Sequence, residues 1–247
     1  MVAHRLLRGL ALVGAALPRH PAERFFSPDR WGLTGEAATA ADPLYSPGTD
    51  FIAHENDFLT ELIRRDLAGE SRAEIAERCE LYDGFMKFRQ EATLSLYRNL
   101  YETFGSYELG RLKWDFDIAC YYNLWVSPYM RDEHLDPRWL RRQLHMAPHI
   151  LRALAKFNDL FQKVAVSLRA RGEFYRMNQG VFTPGLDFLD FLTQVGLPRP
   201  RREVMEKTEQ IFNSVRRRAL LMLGPDAVGN PDESLSLPAL LSVDSLG

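Results

Sequence analysis

Apolar residues recur at helical spacing along most of the chain, and Gly, Pro and capping residues divide the pattern into separate stretches. Phe51, Ile52, Phe58, Leu59, Leu62, Ile63 and Leu67 fall three and four apart. This predicts an amphipathic helix from Thr49 to near Gly69, with His54, Glu55, Asp57, Glu61, Arg64 and Arg65 on its polar face. Ser71-Arg72-Ala73-Glu74 has the form of a capping box and starts a second helix. Ile75, Leu81, Phe85, Phe88, Leu94, Leu96, Leu100 and Phe104 carry it to about Thr103, and Gly84 is tolerated inside at some cost. Gly105-Ser106 closes it. Tyr107 to Val126 forms a third helical stretch, where Trp114, Phe116, Tyr121, Tyr122 and Trp125 predict burial on more than one side. Ser127-Pro128 is expected to break that helix, and Asp136-Pro137 to start the next through an Asp N-cap and a Pro at the first helical position. That helix carries Trp139, Leu140 and Leu144. Pro148 is expected to restart or kink the chain before the run from Ile150 to Leu168. Beyond Gly172, Pro184-Gly185 leads into the amphipathic Leu186 to Leu192, and a last long helix spans about Arg201 to Leu223.

Two ends of the chain depart from this pattern. Phe25 to Arg30 reads as a turn and Trp31-Gly32-Leu33-Thr34 as a short strand. The tail, 224–247, is rich in Gly, Pro, Ser and Asp, which predicts a loose segment. At the other end, residues 1–24 read as a leader or a remnant strand or helix. Their apolar run Leu10 to Leu17 imitates a secretory signal, but it is too short to span a bilayer, and Pro18-Arg19-His20-Pro21 follows in place of a small-residue cleavage site.

Composition narrows the class. With 247 residues, 46% of them apolar and 11% aromatic, the chain supports one good core, or one domain with an incomplete neighbour. A net charge of −2 from 31 basic and 33 acidic residues gives no field that recommends nucleic acid or an anionic membrane. Cys79 and Cys120 lack metal or redox spacing, which predicts reduced core residues of a cytoplasmic protein. No P-loop and no Gly-x-Gly-x-x-Gly is present.

The stretch between the strand and the first helix concentrates the chemistry. Gly35-Glu36-Ala37-Ala38 is followed by Asp42-Pro43-Leu44-Tyr45-Ser46-Pro47-Gly48-Thr49 and then directly by the helix. Small residues permit close approach of a bound group, and the first helical amides attract negative charge. This arrangement resembles the second flavin-contacting motif of the flavin-dependent halogenase and monooxygenase superfamily, usually Gly-Asp-Ala-Ala, a few residues, Asp-Pro, then Ser-x-Gly and a helix. The likeness covers residues 25–68 strongly and the helical remainder in general character.

The resemblance implies an FAD site. Glu36 stands where the usual aspartate hydrogen-bonds a ribityl hydroxyl, and it is one methylene longer. Pro43, Ser46, Pro47, Gly48 and Thr49 match the segment that passes beside the flavin ring, with Gly35 and Asp42 completing the set. Gly48 and Thr49 supply amides, which Pro47 cannot. Pro47 also replaces the hydroxyl residue that in halogenases commonly helps hold the halide. The Trp-x-Trp-x-Ile-Pro motif is missing, and no lysine matches a catalytic one, so the catalytic residues are unknown.

Outside the motif, blander readings prevail. His54 is the ionisable residue nearest the motif and reads as a solvated or capping histidine ahead of a general base. His145 and His149 have the four-residue spacing of a metal pair, but Pro148 lies between them and no third ligand is placed. Asp115 and Asp117 project to different helix faces. The basic runs Arg199-Pro200-Arg201-Arg202 and Arg216-Arg217-Arg218 read as solvated faces beside nearby acids. Trp114, Tyr121, Tyr122, Trp125 and Trp139 are core residues or the lining of an aromatic pocket.

The expected architecture is mainly α: residues 25–69 as the end of an α/β FAD-binding domain, 70–223 as the helical C-terminal domain of a flavoprotein, and 224–247 as a tail. The expected function is that of the C-terminal fragment or half of an FAD-dependent halogenase-like oxidoreductase, inactive alone. A separate or upstream flavin-binding domain would be its partner and a small aromatic or lipophilic compound its substrate. A free-standing helical interaction protein, or a subunit complementing a separate flavin domain, is the alternative.

Overall fold

Capping chemistry decides where most of the helices begin. The computed structural model describes residues 22–176, 197 and 199–242. Two antiparallel strands, β1 (Phe26–Ser27) and β2 (Trp31–Gly32), lead into short 3-10 turns at Gly35–Ala37 and Pro43–Tyr45. Then come α1 (Pro47–Leu67), α2 (Arg72–Tyr97), α3 (Tyr107–Cys120), a π-helical stretch Tyr121–Val126, α4 (Ser127–Tyr129), α5 (Pro137–Ala170), α6 (Arg201–Leu223) and α7 (Leu237–Leu240). The mainly helical class expected from periodicity is what the described residues adopt.

The capping box at α2 has both halves formed. The Ser71 amide and hydroxyl each donate to Glu74 Oε2 at 2.8 Å, and the Glu74 amide donates to Ser71 Oγ at 3.3 Å. At α5, Asp136 Oδ1 accepts from the Arg138 amide at 2.9 Å. Its end is set by Gly172, whose φ of +67° suits a residue without Cβ.

Three boundaries differ from the periodic reading. The second helix stops at Tyr97, because Asn99 turns left-handed (φ 58°) and the chain continues as a 3-10 turn over Leu100–Thr103. Pro128 does not break the third stretch. In the π-helical stretch the Ser127 amide reaches back five residues to the Tyr122 carbonyl, and this wider turn carries the backbone through the proline. Pro148 neither restarts nor ends α5, which runs through it as one 34-residue helix. The amphipathic Leu186 to Leu192 lies outside the described residues, as does the apolar run Leu10 to Leu17.

The described residues fall into two compact units. The first holds those up to Leu94 together with Leu135–His145. Its core is an aromatic cluster. Phe58 stacks on Tyr82 at 4.1 Å, Phe26 meets both edge-on at 6.0 and 6.2 Å, and Phe85 bridges Phe58 to Trp139 at 5.9 and 5.5 Å. Asp83 of α2 fixes the hairpin to this core, since its Oδ1 accepts from the amides of Phe25 and Phe26 at 2.9 and 3.0 Å. A Cβ on Gly32 would lie 2.1 Å from Leu59 Cδ2, so β2 approaches α1 as closely as glycine permits.

The second unit holds Ser95–His134 and the described residues from Met146 onward. Phe116, Phe157 and Phe212 pack with centroids 4.4 to 5.3 Å apart, and Phe161 adds an edge contact to Phe116 at 5.6 Å. Beside them Lys113 is fully buried and donates to both carboxylate oxygens of Asp117 and to the Leu96 carbonyl. The segment after Gly224, which composition predicts to be loose, docks on α6 as far as Ser242. Asn213 bonds both the carbonyl and the amide of Leu235, Glu209 accepts from the Leu237 amide, and Leu237 and Leu240 are buried. Among the described residues no helix is long and apolar enough to cross a membrane.

Candidate functional site

The Gly-acid turn and the Pro-Gly helix start are both built on α1. Gly35 takes φ +68°, a left-handed conformation that other residues adopt at a cost, and its carbonyl accepts from the amides of Ala38 and Thr39 at 2.9 and 3.1 Å. This tight turn holds Glu36 exposed at its crest. The Gly35 amide donates to Glu55 Oε2 at 2.6 Å, so the turn hangs from the third turn of α1.

The second half of the motif is closed by local chemistry. Asp42 Oδ1 accepts from the Leu44 amide at 3.0 Å, Pro43 opens the 3-10 turn, and the Ser46 amide returns to the Pro43 carbonyl at 2.9 Å. Ser46 is left-handed (φ 55°, ψ 40°), which redirects the chain into α1. Pro47 is buried as the first helical residue, while Gly48 and Thr49 are exposed, with Thr49 Oγ1 donating to the Ser46 carbonyl at 3.0 Å. A Cβ added at Gly48 would meet nothing within 4 Å, and the residue is not in the left-handed region. Neither packing nor backbone conformation within the chain asks for glycine there.

All eight residues expected at the site, Gly35, Glu36, Asp42, Pro43, Ser46, Pro47, Gly48 and Thr49, therefore lie around the N-terminal half of one helix. At 1.5 Å per residue, Glu55 sits about 10 Å along the axis from Gly48.

Two residues assigned to the polar face of α1 prove to face inward. His54 is 5% exposed and Glu55 0%. The His54 ring lies 5.6 Å from that of Phe85 and 6.2 Å from that of Phe58, and Nδ1 donates to the Asp50 carbonyl at 2.8 Å. It is a core histidine rather than a solvated one. Burial pushes the Glu55 carboxyl above its ordinary range, partly offset by the Gly35 amide and then the Thr34 hydroxyl. The sequence carries a signal for both: Phe51, His54, Glu55, Phe58 and Leu62 occupy a single stripe at three- and four-residue spacing, and position in the stripe outranks polarity.

The remaining candidates disperse. His145 and His149 are exposed, His149 Nδ1 accepts from Arg152 at 3.0 Å, and no group of three or more His, Cys, Asp or Glu among the described residues is placed to hold a metal. Asp115 pairs with Arg218 at 3.0 Å and Asp117 with Lys113. Arg217 pairs with Asp232, and buried Arg216 donates to the Asn230 carbonyl. Trp125 and Trp139 are core residues, whereas Trp114 is half-exposed. Together with Phe104, Ser106, Tyr107, Gly110 and Arg111, Trp114 lines an open groove of about 370 Å³ in the second unit. Of the five aromatics, Trp114 lines this groove. Cys79 and Cys120 are free and buried, and burial pushes the Cys79 thiol up to about 11 and Cys120 upward as well, so neither is a ready nucleophile.

With this geometry in view, the chain is 26% identical over 118 residues to the flavin-dependent halogenase chlA of Dictyostelium discoideum. The matched stretch takes in 48% of this chain and 19% of that protein, so the likeness is distant and partial. No protein-family model matches the chain. No solved structure matches it either.

Proposed function

We propose that this chain supplies the ribityl and isoalloxazine edge of an FAD site, as the C-terminal part or half of a halogenase-like oxidoreductase, with its helical second unit as substrate or cover domain. Gly48 carries this reading. It is a bare, exposed residue at the N-terminal end of a 21-residue helix, with open space where its Cβ would stand. Close approach by a group from outside the chain accounts for a glycine that the fold does not require.

In this reading the Gly48 and Thr49 amides face the ring and favour negative charge on it, and Glu36 accepts from a ribityl hydroxyl. Asp42, Pro43, Ser46 and Pro47 hold the segment in place. Bound flavin supplies two-electron redox chemistry at its isoalloxazine ring. The pyrophosphate half of the cofactor falls to a dinucleotide-binding domain, upstream or separate, without which the chain does not turn over. Trp31, Leu44 and Ile52 are 46, 44 and 40% exposed on the same unit as the motif, which supports a covering partner there.

Titration of the purified chain with flavins tests the proposal. Riboflavin, FMN and FAD should all quench weakly and about equally, because the chain touches the part they share, and ADP should not compete. Gly48→Ala should weaken all three by about tenfold, equivalent to about 1.4 kcal/mol. The same variant should keep or raise thermal stability, by up to about 1 kcal/mol from the gain in helix propensity. Stoichiometric FAD retained through purification, or flavin binding indifferent to Gly48→Ala, would contradict the assignment.

A further inference from the structure

Glu55 has no role in the motif resemblance, yet the local geometry converges on it. It is fully buried, about two turns inside α1 from the exposed Gly48 end. Its Oε2 takes the Gly35 amide at 2.6 Å, which ties the Gly35–Ala37 turn to the helix through a side chain. Its Oε1 is buried without a hydrogen bond of ordinary geometry among the described residues. The Thr39 hydroxyl, on the residue whose amide closes the same turn, is also buried without one. A purely structural position on the apolar stripe would be filled by Leu or Ile at less cost, since burying a carboxyl is unfavourable.

We infer that Glu55 is the positioning residue of the flavin site: by accepting the Gly35 amide it fixes the left-handed turn that presents Glu36. It touches no cofactor and acts through the turn alone. A neutral carboxyl and a glutamine side chain offer the same carbonyl acceptor at this distance, so the role lies in the hydrogen bond and survives loss of charge. The inference rests on the flavin reading for its purpose and on the Gly35 contact for its mechanism.

The two are separated by measuring two things on the full chain with Glu55→Gln and Glu55→Ala. The first is exchange of the Gly35 amide hydrogen by NMR, which needs no flavin. Glu55→Gln should keep its protection, and Glu55→Ala should lower it by about tenfold or more. The second is riboflavin quenching, in which Glu55→Gln should bind within about threefold of the parent and Glu55→Ala about tenfold more weakly. Thermal melts identify a variant that has simply failed to fold, and Glu55→Leu, which fits the apolar stripe, then serves in place of alanine. Unchanged Gly35 protection in a folded alanine or leucine variant overturns the positioning role. So does glutamine behaving like alanine in both measurements. Altered protection with no flavin binding by any variant, parent included, sinks the flavin reading and leaves the latch standing.

Discussion

At the scale of single residues, two buried carboxyls hold the motif region. Glu55 accepts from Gly35, and Asp83 accepts from Phe25 and Phe26. Burial raises both above their ordinary values of 4.5 and 3.8. A raised carboxyl binds its proton more tightly in the folded chain than in the unfolded one. Its contribution is therefore fully present below the unfolded value and is lost as pH rises through the folded one. Urea denaturation should show stability gained as pH falls from 7 toward those ordinary values, and the double variant Glu55→Gln, Asp83→Asn should flatten that gain. A gain of equal size in the double variant would assign it elsewhere. Neither carboxyl was legible as buried from residue type. Only its place on an apolar stripe marked Glu55, and the partners of Asp83 lie 57 and 58 residues away.

At the scale of elements, what the sequence made readable was local chemistry. The Ser71 and Glu74 box and the Asp136-Pro137 start form where their residue types place them, because each cap is satisfied within two or three residues, and α6 covers the span its periodicity predicts. Ser71→Ala should lower stability by about 1 kcal/mol, read as a shift in the urea midpoint with unchanged slope. What escaped was set by packing. Pro148 looks like a breaker, yet Ala147, Ile150, Leu154 and Phe157 are buried along a continuous face that carries the helix through it. Pro148→Ala should then stabilise the chain, by up to about 3 kcal/mol, since it restores a backbone donor and removes a ring clash. Destabilisation would mean that the proline shapes the helix.

At the scale of the whole molecule, the two units interleave along the chain, because α2 and α5 each pass from one to the other. Periodicity reports which face of a helix is buried, not which neighbour buries it, so this division had no signature in the sequence. The core of the second unit contains its own test. Lys113 and Asp117 are each 1% exposed and bonded to each other. Lys113→Met alone should cost about 3–5 kcal/mol by removing the buried ammonium that Asp117 faces, while adding Asp117→Leu should recover most of that loss. Trp114 and Trp125, both in this unit, provide the fluorescence signal. Additive losses in the double variant would show that the pair stabilises the core outright.

The Asp83 contacts also set an order of events in folding. Strands of two residues do not hold together by themselves. The hairpin of Phe26–Ser27 and Trp31–Gly32 is secured by a side chain almost sixty positions further on, so it waits until α2 has formed and closed that loop. The Gly35 turn in turn waits for the third turn of α1. The Gly35 half of the segment that gathers the proposed cofactor contacts is thus ordered only after the helix from which it hangs, while the Asp42–Thr49 half closes by local bonds.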